Sequence, residues 1–430
     1  MASDARYLEA DREQLRWDLV DLESQLPLEH RARVVWAFAE GLNLSALYAR
    51  IRAREDRPGR APPDPKIMLG LWLLATLEGV GSARQLDRLC ERDVAYRWLC
   101  GGVPVNYHGL SDFRCEHAEV LDRLLTESLT ALVAEGIVKA EEIALDGTKV
   151  RASAGRGSFR GAAKLAELEA WARQRVKALK DDVESDPAAS EKRRQAARRR
   201  GADDVARRAA AARRALEKLQ AEKAERAKRH KKAEAKKTEV RASMTDPEAR
   251  LMRFSDGAVR AGYNVQLAVE PGSGIILAAE TTDRRNDAGM AGPMLEEVER
   301  HLGLRPRRVL ADTTYATRED IVAFASKDIE VYTPMPPDKT DVTPETARKR
   351  ARQRQREPAA IKAWRARMAD QASAAIYRAR SRIETVNGIL KGRGLAIMRV
   401  RSIAKVRCVV LLQTLAHNLW RAHCLRPRAA

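Results

Sequence analysis

Apolar residues recur every three or four positions along most of the first 130 residues, which predicts a helical region. Polar breaks at GRAPPDP and GGVPVNYHG divide this region. One predicted helix begins just after Pro65, where a helix can start. In the segment YHGLSDFRCEHAEVLDRLLTESL, Ser111 or Asp112 is a candidate N-cap of an amphipathic helix. The pattern fits a DNA-binding helix-turn-helix and fits a simple scaffold equally well.

After residue 140 the pattern changes to short apolar runs bounded by turn residues, which predicts strands. EEIALDGTKVRAS predicts a strand with Asp146 at or near its end. GAVRAGYNVQLAVEPGSGIILAAETTD predicts two strands joined at a Pro-Gly-Ser-Gly turn. RRVLADTTYAT predicts a strand that ends at Asp312, and IEVYTP predicts a last short strand. Helical patterns at 288–302 and 318–326 separate the later strands, so we expect a mixed α/β sheet.

Two charged insertions interrupt this pattern. In residues 161–240, apolar residues step by three or four on both sides of the break Ser185-Asp186-Pro187, which predicts an antiparallel helical hairpin. Its basic excess favours contact with DNA, or with a partner subunit, over a solvated spacer. The second insertion, residues 335–375, contains RKRARQRQR, which begins with Arg348, Lys349 and Arg350. Such a basic density predicts phosphate contact, or disorder without DNA.

The charge balance narrows the class of partner. The chain of 430 residues carries 80 basic and 60 acidic residues, a net charge of +20, so a polyanion such as nucleic acid is the expected partner. Five irregularly spaced cysteines argue against a disulfide framework. The first residues are too polar for a signal peptide, and no apolar run is long enough to span a bilayer. These features predict a cytoplasmic protein without a membrane partner.

The stretch YRARSRIETVNGILKGRG places one acid, Glu384, among basic and apolar residues. On a continuous helix with about 100° per residue, Tyr377, Arg380, Glu384 and Lys391 share one face. The apolar positions lie elsewhere and are predicted to pack on the sheet: Ile383, Val386, Ile389 and Leu390. A carboxylate beside a phenol and two cations suits a site for metal and phosphate. The alternative is an ordinary helical ion pair with Arg380.

The spacing from Tyr377 through Arg380 and Glu384 to Lys391 resembles the YREK signature of bacterial insertion-sequence transposases of the DDE type. The acids in ALDGTKV and LADTTY, and the later segments GLAIMRVRSIAKVR and LAHNLW, resemble the same family in the same order. KIMLGLWL and YHGLSDFR look like the helical domain that precedes the catalytic core in one subgroup. The resemblance extends over roughly residues 7–420.

The resemblance implies an RNase H-like mixed sheet with flanking helices, preceded by an all-helical N-terminal domain and interrupted by the charged helical insertion. It implies that Asp146, Asp312 and Glu384 are catalytic and bind two Mg²⁺ ions, for which Mn²⁺ can substitute. Tyr377, Arg380 and Lys391 would then bind phosphates near the transposon end. Residues 348–350 of the basic insertion are further candidates for DNA contact.

The expected domain division follows from these patterns. Residues 1–135 form a DNA-binding helical domain, and residues 136–160 with 241–422 form the catalytic domain. Residues 161–240 and 335–375 are the two insertions. The implied function is a transposase that binds terminal inverted repeats, cleaves at the element ends and joins 3′ ends to target DNA. We expect it to act as a homodimer on double-stranded DNA, at the bacterial nucleoid.

Other interpretations of the same residues stay open at this point. A nuclease of the same fold without strand transfer, or a domesticated DNA-binding protein without catalysis, has the same broad pattern. Asp146 and Asp312 are also typical turn residues. Asp283 and Asp287 in TTDRRNDAGM are rival acids, although Asp287 is placed as an N-cap of the following helix. Trp364 is expected to pack, with stacking on a base as the alternative.

Overall fold

The computed structural model describes residues 21–51, 61–185, 189–229, 239–335 and 343–427. Its N-terminal part is helical, as predicted. The helices are α1 (Arg31–Glu40), α2 (Ser45–Tyr48), α3 (Pro65–Leu77), α4 (Ala83–Arg92), α5 (Val94–Cys100), α6 (Tyr107–Glu116) and α7 (Ala118–Ala134). Nearly all side chains of α3 are buried, which shows that this helix lies at the centre of the N-terminal part. It begins where expected, with Pro65 first and the Asp64 carboxylate accepting the Lys66 N–H at 2.7 Å.

The start of α6 differs from the prediction. Asn106 is the N-cap, and its side-chain oxygen accepts the Gly109 N–H at 2.9 Å. Ser111 and Asp112 therefore lie inside the helix, and the N-cap assigned to them is wrong. This segment contains several residues that can cap a helix. Asn106 is the N-cap because its backbone is extended and its side chain reaches the first turn.

The central sheet is mixed. The strands are β1 (Glu142–Arg151), β2 (Phe159–Arg160), β3 (Ala242–Ser243), β4 (Arg250–Arg253), β5 (Val259–Val269), β6 (Ile276–Thr282), β7 (Arg308–Leu310) and β8 (Glu330–Tyr332). Within the described ranges, six strands form one sheet in the order β4-β5-β1-β7-β8, with β6 also paired to β5. Strand β1 is antiparallel to β5 and parallel to β7, and β7 is parallel to β8. This arrangement confirms the predicted α/β fold with an RNase H-like sheet.

The charged insertion is a helical hairpin, formed by α8 (Ala162–Ser185) and α9 (Ala189–Arg229). Leu165 near the start of α8 packs with Ala212 and Leu216 in the second half of α9, so the two helices are antiparallel. Between them the buried Glu169 carboxylate is 3.3 Å from the Arg213 guanidinium. The apolar steps in the sequence thus predicted the faces on which the two helices meet.

Helices cover both faces of the sheet. The remaining helices are α10 (Ala291–Leu302), α11 (Arg318–Ala325), α12 (Pro344–Gln355), α13 (Ala359–Ala369), α14 (Gln371–Arg378), α15 (Ser381–Leu390) and α16 (Ile403–Leu425). One face packs on α10, α16 and the N-terminal helices in one buried apolar cluster, which also contains Trp364 and so confirms its packing role. The other face packs on α15 through Ile383, Val386 and Leu390, as predicted. Ile389 was wrongly included in that prediction, because 39% of it is exposed.

Two further expectations concern the chain as a whole. The cysteines described in the structure are free, in agreement with the absence of a disulfide framework. Within the described part of the chain, no helix combines the length and the apolar character needed to cross a membrane.

We expect Asn418→Ala to destabilise the fold by about 2 kcal/mol, because two buried backbone groups would lose their partner. Asn418 is buried on α16 and forms two hydrogen bonds with Ile276 of β6: its side-chain oxygen accepts the N–H at 2.8 Å, and its Nδ2 donates to the carbonyl at 2.7 Å. Chemical denaturation of the metal-free protein measures the loss. Asn286→Ala, at an exposed position, is the matched control. Equal stability of the two variants would contradict this role of Asn418.

Candidate active site

Asp146 lies in the middle of β1, on the sheet face covered by α15. Its Oδ2 accepts a hydrogen bond from Asn387 Nδ2 at 3.0 Å, and its Oδ1 accepts one from Arg380 Nη2 at 3.2 Å. The expected position at the end of the strand is wrong, because pairing with β5 continues β1 as far as Arg151. The carboxylate is mostly buried, with 18% of the side chain exposed.

Asp312 follows β7, the parallel neighbour of β1. In the register of the two strands, Ala144 is opposite Leu310, so Asp146 and Asp312 each come two residues after a paired residue. Side chains two residues apart point to the same face of a strand, and neighbouring strands are about 4.8 Å apart. The register therefore places Asp146 and Asp312 on the same face of neighbouring strands, and their charges interact. Among the described residues, however, the acids around Asp146 do not form a group of three whose ligand atoms lie within 4.8 Å of one another.

Asp312 also has the local role of a turn residue. Its Oδ1 accepts the Thr314 N–H at 3.0 Å and the Tyr315 N–H at 2.7 Å. The alternative interpretation, in which Asp312 is a turn residue, is thus confirmed. These bonds fix the direction of the carboxylate and do not occupy all of its acceptor positions.

Glu384 is linked to Asp146 through a single guanidinium. Arg380 Nη1 donates to Glu384 Oε1 at 2.9 Å, while Nη2 of the same side chain donates to Asp146. The predicted helical ion pair between Arg380 and Glu384 is therefore present. Arg380 is mostly buried, but 64% of the Glu384 side chain is exposed. Glu384 thus lies at the open side of the site, where a ligand from solution can reach it.

The continuous helix assumed for Tyr377 to Lys391 is wrong. Helix α14 ends at Arg378 and α15 begins at Ser381. Between them the Arg380 N–H bonds to the Tyr377 carbonyl at 3.0 Å, a three-residue step that winds more tightly than an α-helix. Lys391 follows α15 in a π-helical turn and is exposed.

Tyr377 nevertheless belongs to this neighbourhood. Burial raises the pKa of its hydroxyl above the usual 10.0, the Arg380 charge lowers it, and the charges of Asp312, Glu384 and Asp146 raise it. The same three carboxylates stabilise the charged form of Arg380. Tyr377, Arg380 and the three acids therefore form one electrostatic unit, although the helix does not align them as the sequence suggested.

The pKa of Asp146 is raised from 3.8 to about 6. Burial is the largest cause; the Arg380 charge lowers the pKa, and the charges of Asp287 and Asp312 raise it. A carboxylate that is held in an unfavourable charged form gains most from a nearby cation. The arrangement around Asp146 therefore favours the binding of positive charge.

The rival acids have different roles. Asp283 pairs with the buried Arg250 at 2.5 Å, so its role is structural. Asp287 is not the predicted N-cap, because α10 begins after Met290. Its Oδ1 accepts hydrogen bonds from Asn264 Nδ2 at 2.7 Å and Gln266 Nε2 at 2.8 Å. The loop from β6 places this carboxylate on the sheet, which the helix-capping prediction did not anticipate.

The sequence analysis missed Asn387 and Tyr315, and it weighed Asp287 as a rival acid but assigned it to a helix cap. The sequence could have indicated Asn387, because a residue three positions after Glu384 is its neighbour on a helix. Asp287 and Tyr315 reach the site through tertiary packing, and no local pattern indicates that. The candidate DNA-binding residues Arg348 and Lys349 lie exposed on α12, and Arg350 lies on the same helix.

A second acidic group lies elsewhere. Among the described residues, ligand atoms of Asp122, Glu297 and His301 all lie within 4.8 Å of one another. Two arginines already balance these acids: Arg300 is 2.9 Å from Asp122 and 2.5 Å from Glu297, and Arg407 is 3.4 Å from Asp122. This group is best explained as an ion-pair network between α7, α10 and α16.

Comparison with known proteins identifies the family. A model described as the transposase DDE domain matches residues 237–419, and a model described as a transposase domain (DUF772) matches residues 20–116. The chain belongs to the DDE transposase family. No curated protein and no solved structure matches the transposase. Asp312 and Glu384 lie inside the first matched range, whereas Asp146 lies between the two.

The site of the transposase has the donors that a divalent cation needs. Carboxylate oxygens are the ligands preferred by Mg²⁺. Several buried polar atoms around Asp146 lack a hydrogen-bond partner within the described residues: Arg380 Nε, Asn387 Oδ1 and the Tyr315 hydroxyl oxygen. Such atoms are uncommon in protein interiors and indicate a place for water or an ion. The carboxylates and the unpartnered Asn387 oxygen are of the type that a metal coordinated through oxygen needs, whereas the Arg380 Nε–H can only bind a water or an anion.

Proposed function

We propose that this transposase binds the terminal inverted repeats of its element, cleaves phosphodiester bonds at the element ends and joins the 3′ ends to target DNA. The observation that carries the proposal is the register of β1 and β7, which aligns Asp146 with Asp312, together with the guanidinium that links Asp146 to Glu384. These three acids are the ones that the resemblance assigned to catalysis. The same acids would hold two Mg²⁺ ions, or Mn²⁺ in their place.

When bound by these acids, the cations would supply positive charge that stabilises the phosphate during attack. The protein supplies their position. Asp312 is fixed by two backbone N–H groups, and Asp146 by Asn387 and Arg380. Rigid donors of this kind keep the carboxylates oriented before the substrate arrives.

In this proposal Arg380 binds a DNA phosphate in place of its carboxylate partners. It pairs with two carboxylates in the structure, and its planar guanidinium is equally suited to bind a phosphate through two hydrogen bonds. Tyr377, whose hydroxyl interacts with the Arg380 charge, and the exposed Lys391 after α15 would bind neighbouring phosphates. With these contacts, the three residues would orient the strand to be cut.

Other surfaces would hold the rest of the DNA. Half of the net charge of +20 lies in residues 161–240, which include the hairpin α8–α9. We assign DNA contact to this hairpin, to Arg348, Lys349 and Arg350 on α12, and to the helical region 1–135. Residues 136–160 and 241–422 would form the catalytic domain, with 335–375 as the basic insertion. Because two element ends must be held together, the active form would be a homodimer on DNA, acting in the cytoplasm at the nucleoid.

A strand-transfer assay tests the proposal. Duplexes copied from the DNA that flanks the gene, with intact or pre-cleaved ends, are incubated with a target plasmid in Mg²⁺, Mn²⁺ or EDTA. We expect cut and joined products only with a divalent cation. Glu384→Gln should keep DNA binding and lose both products, while Glu319→Gln, at an exposed position on α11, should retain both.

The alternatives give different results in the same assay. Cleavage without joined product indicates a nuclease of the same fold. DNA binding by the wild type without cleavage in either cation indicates a DNA-binding protein without catalysis. Either result contradicts the proposal.

A further inference from the structure

A small cavity lies where the N-terminal helices meet the C-terminal part of the chain. Its volume is about 30 Å³, and it is lined by residues of α3 and α6, of the turn after α15 and of α16. Three arginines belong to this lining: Arg114 on α6, Arg393 in the π-helical turn and Arg399 before α16. The cavity has room for about two water-sized atoms, which suits the oxygens of one anionic group.

Arg114 is buried although no acid is paired with it in the described ranges. Only 7% of the residue is exposed, its guanidinium lies 4.7 Å from the centre of the Trp72 ring, and its Nη1 donates to the Gly81 carbonyl. Its Nε–H has no hydrogen-bond partner within the described residues. Buried arginines are normally paired with an anion, so this side chain lacks a partner that it needs.

The other two arginines bring more positive charge to the same place. Arg393 Nη1 is buried and also has no hydrogen-bond partner in the described part of the chain. Arg399 is exposed, and a Cβ added to Gly81 would lie 3.5 Å from its Nε, so Arg114 and Arg399 meet at Gly81. Like charges this close repel each other, which costs stability unless an anion lies between them.

The neighbouring groups do not supply that anion. Burial lowers the pKa of Arg114 below its usual value, Cys115 raises it, and the Arg399 charge lowers it. Burial raises the pKa of the Cys115 thiol, which keeps this thiol uncharged at neutral pH. Burial and the Arg31 charge lower the pKa of Arg393, whereas Cys424 raises it. A water could bind the unpartnered arginine N–H groups, but it would not balance their charge.

We propose that Arg114, Arg393 and Arg399 bind one phosphate of the DNA backbone. The inference rests on the proposed function, which makes DNA the polyanion that this transposase binds. A phosphate offers several acceptor oxygens, and the fork of a guanidinium matches their geometry. The cavity is too small for a base, so the site binds the backbone and does not read sequence. Arg393 follows Glu384 by nine residues, roughly 13 Å along a helix axis, so one duplex can span both.

DNA binding in EDTA tests this site without relying on catalysis. Fluorescence anisotropy gives the affinity of the full-length protein for a duplex of the element end and for an unrelated duplex, at several salt concentrations. The double variant Arg393→Gln/Arg399→Gln keeps the buried Arg114 and should bind both duplexes at least about tenfold more weakly. Its plot of log affinity against log salt concentration should be less steep by about 0.9, the contribution of one phosphate contact.

The matched control is Arg305→Gln/Arg307→Gln. It removes two exposed arginines just before β7, at the end of the strand away from Asp312, and should bind both duplexes as the wild type does. Melting temperatures in EDTA show whether each variant is folded. If the double variant is not, the exposed single variant Arg399→Gln decides, with an expected loss of at least about threefold.

Two results would overturn the inference. The first is an unchanged salt dependence in a folded variant, because a lost phosphate contact must lower the slope. The second is a loss of affinity for the element end alone, because phosphate contacts carry no sequence information.

Inorganic phosphate distinguishes a DNA phosphate from a free anion at the same site. Melting temperatures are compared in phosphate and in chloride at equal ionic strength, without DNA. If phosphate stabilises the wild type but not the double variant, and both bind DNA equally well, the cavity binds a free anion and the assignment to DNA fails.

The strand-transfer assay separates this inference from the proposed function. If the wild type cuts and joins DNA while the double variant binds DNA with unchanged affinity and salt dependence, the inference fails and the reaction stands. If the double variant shows both expected changes but the wild type neither cuts nor joins DNA, the proposed reaction fails and the inference stands.

Discussion

Asp146→Asn is expected to lower the rate of DNA cleavage by at least about a thousandfold, which corresponds to about 4 kcal/mol of lost transition-state stabilisation. Asparagine keeps the shape of the side chain and can still accept a bond from Arg380. It lacks the negative charge that attracts a cation and cannot replace a carboxylate ligand. DNA binding should not fall, because Asp146 is mostly buried and the substitution removes only a charge that repels phosphate.

The same substitution should stabilise the metal-free protein. The pKa of Asp146 is raised to about 6 in the folded state, against 3.8 when unfolded, so the folded protein keeps this proton over a higher pH range. Stability from this group is fully present below pH 3.8 and is lost as pH rises to about 6. Above that pH the wild type bears a constant penalty of up to about 3 kcal/mol, which the neutral asparagine avoids.

Melting temperatures in EDTA at several pH values measure this effect. The difference between Asp146→Asn and the wild type should be small at pH 4, grow up to about pH 6 and stay constant above it. Added Mn²⁺ should reverse the order, because only the wild type keeps the complete ligand set. The surface variant Asp256→Asn should show neither change. Full cleavage activity of Asp146→Asn, or a lower melting temperature at pH 8, would contradict the assignment.

The fold was largely predictable because its signals are local. The strand runs around Asp146 and Asp312 are apolar and bounded by turns, and the alternation with helices requires parallel neighbours. The register that aligns Ala144 with Leu310 was not predictable, because it depends on which apolar side chains pack between layers. The exposure of Ile389 has a similar cause, since only contact with the sheet decides which side of α15 is buried.

The candidate site was predictable only where its residues stand at a recognisable spacing in the sequence. The spacing from Tyr377 to Lys391 indicated Glu384, even though the tight turn at Arg380 breaks the assumed helix. Asp287 was assigned to a helix cap because its neighbours in sequence suggest that role. Its actual partners, Asn264 and Gln266, are more than 20 residues away and come into reach only when β5 and β6 pair.

Removal of Asp283 is expected to produce the largest loss of stability among the substitutions considered. Arg250 is buried in β4 with 5% of its side chain exposed, and its Nη2 is 2.5 Å from Asp283 Oδ2. Asp283→Leu would leave the guanidinium charge buried without its carboxylate, since its other bond, to the Pro247 carbonyl, is long at 3.4 Å. We expect a loss of about 3 kcal/mol in free energy of unfolding, toward the lower end for a buried pair because Asp283 is partly exposed.

A double-mutant cycle distinguishes this structural role from catalysis. Arg250→Met combined with Asp283→Leu removes both charges, so the double variant should recover most of the stability lost by Asp283→Leu alone. At a temperature where Asp283→Leu is still folded, its cleavage rate should stay near that of the wild type, since Asp283 makes none of the contacts that hold Asp146, Asp312 or Glu384. Denaturation curves and cleavage rates of the four proteins measure both effects. Loss of cleavage in the stable double variant would instead make Asp283 an acid of the active site, because lost stability could no longer explain lost activity.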